Sequence, residues 1–297
     1  MSRLQPGQLH RARLVRQDLG GKGINVSRAL RSLGLESKII GLVAGGAGEV
    51  LRRELSAEGY DATLIEVAGE TRQNLTLFDE AAGVYTKINE PGAAPTPLQI
   101  ATLMVEIERL AHAGDLWAFC GSLPPGVPDD MYRHLIRLVQ ERGGLAFLDT
   151  SGTALRAGAA GLPFGLKLNN EEAGELVGHS LLDAGSCLSA ARQLGAAGIA
   201  LMAITRGDQG AVLSLHGDML IAQPPPVQAR SSVGAGDAAL AGLLWATSDH
   251  CDADETARRM IACGTAAALQ EGSGVGDRAL VQQLLGQVRL SRPAPSC

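Results

Sequence analysis

The chain lacks an excess of positive charge. Its 297 residues include 26 lysines and arginines against 31 aspartates and glutamates, which gives a formal net charge of −5. This balance argues against a generic binder of nucleic acids or anionic membranes. No apolar run approaches the length of a membrane span. We therefore expect neither nucleic acid nor a membrane among the partners of this protein.

Cysteines in metal-binding or paired spacing are also lacking. The five cysteines are scattered along the chain and form no CxxC pair. Such a pattern is typical of reduced thiols that serve mainly in packing, and it predicts a cytoplasmic protein. With 45% hydrophobic residues, the chain can bury a large core. Such a core fits one large α/β domain or one domain plus a small appendage, and we expect a single α/β domain spanning residues 1–297.

The rest of the chain is organised around residues 231–237, Ser-Ser-Val-Gly-Ala-Gly-Asp. Leu240, Leu243 and Leu244 follow at helical spacing, so a helix is predicted directly after the glycines. Backbone N–H groups and the helix dipole make such a start an anion site. Asp237, in the first turn, could take a proton from a hydroxyl while those N–H groups hold a phosphoryl group.

Two other interpretations of this stretch stay open at this point. Aspartate is common at helix starts, so Asp237 could simply cap the helix. The spacing Gly234-x-Gly236-x-x-Ala239 also matches a dinucleotide fingerprint. That pattern requires a following strand that ends in an acidic residue. Residues 250–255 are instead polar and turn-like, which makes the dinucleotide hypothesis weak.

A second glycine-rich turn, residues 20–25, leads into a predicted helix that ends near Arg31. Backbone donors and the ammonium of Lys22 would converge there on a phosphate. The turn is not a Walker A loop, because Arg16 takes the place of its first glycine and Gly23 that of its serine or threonine. A solvated surface lysine is the alternative interpretation of Lys22.

Alternating residues predict strands over 8–18 and a hairpin within 71–89, around a turn at 80–83. A hairpin inserted into an α/β alternation is a candidate lid over a site. Arg72 and Asn74 share one face of it and could grip a small polar ligand. A hairpin with solvated polar residues is the other interpretation.

The remaining chain alternates short apolar strands with amphipathic helices, which predicts a doubly wound, mostly parallel sheet with helices on both faces. Ligands bind such sheets at the carboxyl ends of the strands. Further strands are predicted over 38–43, 62–67, 116–120, 145–149, 199–205, 211–215 and 219–222. Further helices are predicted over 49–58, 97–112, 129–142, 186–194, 253–269 and 278–288. Residues 291–297 are predicted to be frayed.

Seven motifs occur in a fixed order along the chain, and in that order they resemble the PfkB (ribokinase-like) carbohydrate kinases. They are Gly20-Gly21-Lys22-Gly23-Ile24-Asn25-Val26, Thr71-Arg72-Gln73-Asn74, Ile88-Asn89-Glu90-Pro91-Gly92, Gly121-Ser122-Leu123-Pro124-Pro125-Gly126, Lys167-Leu168-Asn169-x-x-Glu172, Val233-Gly234-Ala235-Gly236-Asp237 and Gly274-Val275-Gly276-Asp277-Arg278. Each motif alone is weak evidence for the family, and seven motifs in the same order are strong evidence. The resemblance covers nearly the whole chain from about residue 8.

The resemblance implies a role for each matching residue. Asp237 would be the general base, and Gly234, Ala235 and Gly236 would form the anion hole for the transferred phosphoryl group. The sugar phosphate would be held by Gly21, Lys22, Asn25, Arg72 and Asn74. The ATP side would comprise Lys167, Asn169, Thr205, Gly207, Gly210 and Gly264. Glu172 and Asn169 would reach Mg²⁺ indirectly, through water.

The resemblance further implies ATP-dependent phosphorylation of a ketohexose phosphate, with a homodimer formed through the small β-lid. We expect fructose 1-phosphate as acceptor and keep tagatose 6-phosphate and fructose 6-phosphate as alternatives. Family members usually open with a buried strand and an Asn-Pro-x-x-Asp segment that binds the sugar, and residues 1–3 follow that point. The first core strand is therefore expected to be missing, which makes a catalytically impaired sugar-phosphate or nucleotide binder the alternative of another class.

Overall fold

The computed structural model describes residues 5, 7–79 and 82–293. Their contacts divide the chain into two compact units. The first unit comprises Met1–Leu19, Ile40–Leu103 and Pro124–Val127, and the second comprises Gly20–Ile39, Met104–Leu123 and Pro128–Cys297. The sequence predicts one domain with an inserted lid, and the hairpin expected to form that lid lies in the first unit.

The helices and strands of the described residues follow in chain order. The helices are α1 (Lys22–Ser32), α2 (Gly45–Ala57), α3 (Pro97–Leu110), α4 (Met131–Glu141), α5 (Gly152–Ala159), α6 (Asn170–Val177), α7 (Ala184–Ala196), α8 (Ala235–Ser248), α9 (Ala253–Ala268) and α10 (Arg278–Leu285). The strands are β1 (Lys38–Ala44), β2 (Asp61–Val67), β3 (Asn74–Asp79), β4 (Val84–Asn89), β5 (Leu116–Cys120), β6 (Leu145–Asp149), β7 (Gly165–Asn169), β8 (Leu201–Thr205), β9 (Ala211–Leu215), β10 (Asp218–Gln223) and β11 (Arg289–Ser291).

The second unit is built on a seven-stranded sheet in the order β11-β10-β9-β8-β7-β6-β5. Strands β5 to β8 pair in parallel, and β8 to β11 pair antiparallel. The parallel strands β6 and β8 are almost continuously apolar and buried, as expected when helices cover both faces of a sheet. The predicted α/β class is confirmed, and the predicted parallel pairing holds for the half of this sheet from β5 to β8.

Helix α8 is apolar on all sides and packs against both α1 and α9. Gly242 permits the close approach to α9, because a Cβ there would lie 2.6 Å from the carbonyl oxygen of Arg259. Helix α1 buries one face, which includes Val26 and Leu30, in the same core. The packing of α1 on α8 brings the two glycine-rich turns of the sequence to one place.

In the first unit, β1 and β2 form a two-stranded sheet, and β3 and β4 form a separate antiparallel hairpin. The hairpin agrees with the prediction over 71–89, whereas residues 80 and 81 of its turn lie outside the described residues. The strand expected over 8–18 is wrong, because residues 9–21 have no regular secondary structure. Leu9 and Leu14 are largely exposed there, so alternation without a pairing partner does not make a strand.

Helices α5 and α6 and strands β7 and β11 were not anticipated from the sequence. Strand β11 pairs with β10 and includes Ser291, the first residue of the stretch predicted to be frayed. Residues 294–297 of that stretch lie outside the described residues. The expected absence of a first core strand stays a prediction. Within the part of the chain that the structure describes, no helix is both long and apolar enough to cross a bilayer.

Candidate active site

The candidate site of the second unit is centred on Asp149, the last residue of β6. One carboxylate oxygen of Asp149 accepts a hydrogen bond from Lys22 Nζ, and the other accepts one from Lys167 Nζ at 2.6 Å. Asp149 has no exposed surface, and 6% of the Lys167 side chain and 35% of the Lys22 side chain are exposed. A buried carboxylate therefore joins two ammonium groups from different elements.

The opposite charges of Asp149 and the two lysines stabilise each other. Burial alone would raise the pKa of Asp149, but the positive charges of Lys167 and Lys22 and their hydrogen bonds outweigh it and lower that pKa. Burial likewise acts to lower the pKa of Lys22, and the charge and hydrogen bond of Asp149 raise it above its ordinary value. Asp149 and Lys22 are therefore both charged at neutral pH, and each stabilises the charge of the other.

Asp237 lies in the first turn of α8 and is almost fully buried. Its Oδ2 accepts a hydrogen bond of 2.8 Å from Nδ2 of Asn25, three residues after Lys22 on α1. Burial raises the pKa of Asp237, against the lowering effects of the Asn25 hydrogen bond and the two lysines, and the charge of Asp149 adds to the rise. A carboxylate with a raised pKa is a better proton acceptor, which suits a general base.

Asp237 is not the cap of its helix. The N-cap of α8 is Gly234, which adopts a left-handed backbone conformation with φ of 79°. No side chain caps this helix start, so the first N–H groups, from Ala235 onwards, point out of the helix. The structural-cap interpretation of Asp237 is thus excluded, and the anion hole assigned to Gly234, Ala235 and Gly236 stays a prediction.

The ammonium of Lys167 lies against this helix start. A Cβ added to Gly236 would be 3.0 Å from Lys167 Nζ, so only a glycine leaves the ammonium its full space. The sequence assigned Lys167 to the ATP side in general. The structure places its ammonium beside Gly236 at the start of α8, where its charge also acts to lower the pKa of Asp237.

Asn25 retains one unused polar atom. Its Oδ1 is buried and has no hydrogen-bond partner among the described residues. An unpaired buried acceptor is costly in a folded protein. Because the Nδ2 of the same side chain is bonded to Asp237, the free Oδ1 is held beside the carboxylate and is available to a hydroxyl donor.

Asn169 and Glu172 form a capping box at the start of α6. The Asn169 side chain accepts from the Glu172 N–H at 2.8 Å, and Glu172 Oε2 accepts from the Asn169 N–H at 2.8 Å. The charge of Glu172 acts on Lys22, which places this carboxylate in the electrostatic field of the cluster. Among the described residues, no group of three or more histidines, cysteines, aspartates or glutamates could hold a metal ion by itself.

The turn after β8 lies at the same edge of the sheet, because Thr205 pairs with Asn169 in the β7–β8 register. Gly207 and Gly210 both have positive φ angles, and a Cβ at Gly210 would collide with the carbonyl of Ala222. Gly264 of α9 faces the start of α8, where a Cβ would lie 3.2 Å from the Ala235 carbonyl oxygen. Close backbone packing therefore favours glycine at 210 and 264, and the positive φ favours glycine at 207. Their roles toward a nucleotide stay predictions.

Three sequence-predicted ligands of the sugar phosphate remain to be placed. Gly21 is the N-cap of α1 with φ of 124°, beside Lys22. Arg72 packs next to Gly92 in the first unit, and Asn74 begins β3 opposite Asn89. The roles assigned to Gly21, Arg72 and Asn74 toward a sugar phosphate stay predictions.

Sequence reasoning missed Asp149. The sequence correctly predicts that a strand ends at this residue. The signal that could have identified the residue was an aspartate at the carboxyl end of a parallel strand. Sequence reasoning also missed that Asn25 bonds the candidate base. Cys120, at the end of β5, lies in the field of the same four charged groups, and burial raises the pKa of its thiol, as expected for a packing cysteine.

Comparisons with known proteins identify the family of this chain. The family profile described as pfkB family carbohydrate kinase matches residues 1–279. A 1-phosphofructokinase of Xanthomonas campestris pv. campestris is 36% identical over 276 residues, which cover 92% of this chain and 87% of that protein. The ATP-dependent 6-phosphofructokinase isozyme 2 of Escherichia coli K12 is 33% identical over 256 residues, which cover 86% of this chain and 82% of that protein.

Solved structures give the same result for the fold. The crystal structure of phosphofructokinase-2 from Escherichia coli in complex with potassium superposes with a TM-score of 0.88 at 29% identity, covering 96% of this chain and 93% of that one. A possible 1-phosphofructokinase from Thermotoga maritima gives a TM-score of 0.86 at 25% identity, with 99% and 95% covered. The fold is thus shared over nearly the full length of both chains.

Proposed function

Because the chain belongs to the PfkB family of carbohydrate kinases, we propose that it transfers the γ-phosphoryl group of ATP to a hydroxyl of fructose 1-phosphate. The product is fructose 1,6-bisphosphate. One observation carries this proposal: the buried carboxylate of Asp237 lies at the start of α8, whose glycine-rich N-terminus faces the ammonium of Lys167.

Asp237 accepts the proton of the attacking hydroxyl. Its Oδ2 is held by Asn25, so Oδ1 is the oxygen that takes the proton. The hydroxyl oxygen forms a bond to the γ-phosphorus as the bond between that phosphorus and the leaving oxygen of ADP breaks. The unpaired Oδ1 of Asn25 accepts a hydrogen bond from the sugar and fixes the hydroxyl in line with the phosphorus.

Gly234, Ala235 and Gly236 supply backbone N–H donors to the transferred group, and Lys167 supplies positive charge at the same place. Phosphoryl transfer requires mainly positioning and stabilisation of charge on the equatorial oxygens. The family resemblance assigns Lys22 and Arg72 to the phosphate that the sugar already carries. A second positively charged position favours the binding of a phosphorylated sugar over that of a free sugar, which has no anionic group to occupy it.

ATP occupies the edge formed by the ends of β7 and β8. The residues assigned to it are Lys167, Asn169, Thr205, Gly207, Gly210 and Gly264. Mg²⁺ favours oxygen ligands and keeps several of its waters. Glu172 uses one carboxylate oxygen in the capping box, which leaves the other for a water-mediated contact with the metal. The ion would neutralise charge on the ATP phosphates.

Fructose 6-phosphate and tagatose 6-phosphate are the competing acceptors, the first favoured by the 33% identity to the E. coli isozyme named above. ADP release coupled to NADH oxidation, measured for all three sugar phosphates, decides between them. We expect kcat/KM to be highest for fructose 1-phosphate. A preference for either other sugar phosphate reassigns the acceptor, and binding without ADP release from any of them identifies a catalytically impaired binder.

We infer that the hairpin β3–β4 forms a homodimer contact. Leu75 and Ile88 are paired across the strands, and both are about half exposed, as are Phe78 and Val84. Exposed apolar side chains clustered on one hairpin are typical of an interface. Light scattering of Leu75→Asp tests this inference: a monomer is expected, and an unchanged dimer contradicts it.

The four cysteines that the structure describes are free, which supports a cytoplasmic location.

A further inference from the structure

We propose that Asp149 is a positioning residue that fixes the ammonium groups of Lys22 and Lys167 at the reaction centre. This inference rests on the proposed phosphoryl transfer. It concerns a residue to which no role is assigned above, and it follows from the hydrogen bonds of one buried carboxylate.

The geometry shows how one side chain can orient two others. Asp149 ends a core strand and is completely buried, so its own carboxylate has little freedom. Lys22 comes from the start of α1, 127 positions away in sequence, and Lys167 comes from β7, 18 positions away. Each lysine bonds a different oxygen of Asp149. The single carboxylate therefore sets the separation of two positive charges.

The same arrangement leaves both lysines able to bind a ligand. An ammonium group has three N–H donors, and Asp149 occupies one on each lysine. Two donors per lysine remain. Without Asp149, each flexible lysine chain would lose conformational entropy on binding a phosphate, and the two like charges would repel each other. With it, this ordering is complete before any substrate arrives.

The two lysines serve different parts of the reaction. Lys167 lies against Gly236 at the anion hole, where charge develops as the phosphoryl group is transferred, so its position affects kcat. Lys22 is assigned to the phosphate already on the sugar, so its position affects KM for that sugar. Asp149 should therefore act on kcat through one lysine and on KM through the other.

A purely structural ion pair is the competing explanation. It predicts that loss of Asp149 lowers the melting temperature and reduces activity independently of either lysine. Two double-mutant cycles separate these explanations, because residues that act through each other give non-additive effects. The cycles combine Asp149→Asn with Lys167→Met and with Lys22→Met. Asp218→Asn serves as the matched control, because Asp218 pairs with Arg292 at the surface.

We expect Asp149→Asn to lower kcat by about 100-fold, the scale of a misplaced catalytic group. With Lys167→Met, the combined loss in kcat should be at least about tenfold smaller than the product of the single losses. When Asp149→Asn is combined with Lys22→Met, the increase in KM for the sugar phosphate should likewise be at least about tenfold smaller than the product of the single increases. Asp218→Asn should leave both constants within about twofold of the wild type. Losses that simply multiply in both cycles overturn the proposal.

Two further arms keep the test decisive. If Asp149→Asn does not fold, Lys167→Met is compared with Lys167→Met/Asp149→Asn: equal kcat supports the proposal, and a further loss of about 100-fold overturns it. If the wild type turns over none of the three sugar phosphates, the proposed function fails. The same double-mutant cycles are then measured by calorimetry, with the dissociation constant of inorganic phosphate as the readout. Non-additive effects on this constant support the role of Asp149, and additive effects contradict it.

Discussion

The side chain of Asn25 holds the carboxylate of Asp237 through one hydrogen bond, 2.8 Å from Nδ2 to Oδ2, between residues 212 positions apart in sequence. Asn25 lies three residues after Lys22 on α1, so both face the same way from the helix. The candidate base is consequently oriented by the helix that carries a predicted phosphate ligand. The packing of α1 on α8 therefore determines the orientation of the proposed base.

Replacement of Asn25 by leucine should move the acid limb of the pH profile of kcat/KM to higher pH. Burial raises the pKa of Asp237, while the Asn25 hydrogen bond, Lys167 and Lys22 lower it. Without the hydrogen bond the pKa rises further, and the base is protonated over a wider range. A hydrogen bond to a charged group contributes about 1.5–3 kcal/mol, which corresponds to a shift of about 1–2 pH units.

Asn170→Leu is the matched control for that profile. The Asn170 amide donates to the carbonyl of Leu181 and does not contact Asp237. Its acid limb should coincide with that of the wild type. An acid limb that stays in place in Asn25→Leu would show that the amide does not tune the base.

Replacement of Gly236 by alanine should reduce kcat by about 10–100-fold, because the new Cβ would lie 3.0 Å from Lys167 Nζ and displace the ammonium from the anion hole. Steady-state kinetics with fructose 1-phosphate measure the effect. Gly195→Ala in α7 is the control, since no atom lies within 4 Å of the added carbon. That variant should keep full activity and gain about 0.5–1 kcal/mol of stability. Equal kcat in both variants would contradict the role of the ammonium.

The capping box of α6 should affect both stability and nucleotide binding. Asn169→Ala should lower the free energy of unfolding by about 1 kcal/mol and raise KM for ATP by about tenfold. Asp183→Ala removes a capping box of the same kind from α7. It should cost similar stability in denaturant titrations and leave KM for ATP unchanged. The proposed ATP side is wrong if the two variants behave alike in KM.

Asp237→Asn should raise the melting temperature at pH 7. Burial raises the folded-state pKa of Asp237 above its unfolded value, so the folded state binds this proton more tightly. The folded state therefore loses stability as pH rises from the unfolded pKa through the folded pKa, and the loss persists at neutral pH. A neutral asparagine removes this cost and can still accept from Asn25. Differential scanning calorimetry at pH 7 and at pH 4 should show the gain shrinking in acid.

Much of this site could be predicted because its glycine-rich turns are local. Residues 20–25 and 233–237 each combine a helix start with a charged side chain, and short-range spacing is enough to identify both. The boundaries of β5 and β6 were also predicted correctly, because a run of buried apolar residues between polar ones has few interpretations.

The links between distant segments could not be predicted in the same way. Asp149 belongs to no local motif, and its importance depends on two lysines that only the folded sheet and α1 bring to it. The strand predicted over 8–18 was wrong for a related reason, because alternating residues indicate a strand only if a partner strand is present. Helix α6 starts with a capping box that was interpreted as a ligand motif alone, although both roles use the same two residues.

The most direct test of the account is kcat for the wild type and for Asp237→Asn in the coupled ADP-release assay with fructose 1-phosphate, together with the calorimetric dissociation constant of ATP. Asp249→Asn, at the opposite end of α8, is the control and should match the wild type. We predict that Asp237→Asn lowers kcat by about 100- to 10,000-fold and leaves ATP affinity within about threefold. A kcat for Asp237→Asn equal to that of the wild type would contradict the account.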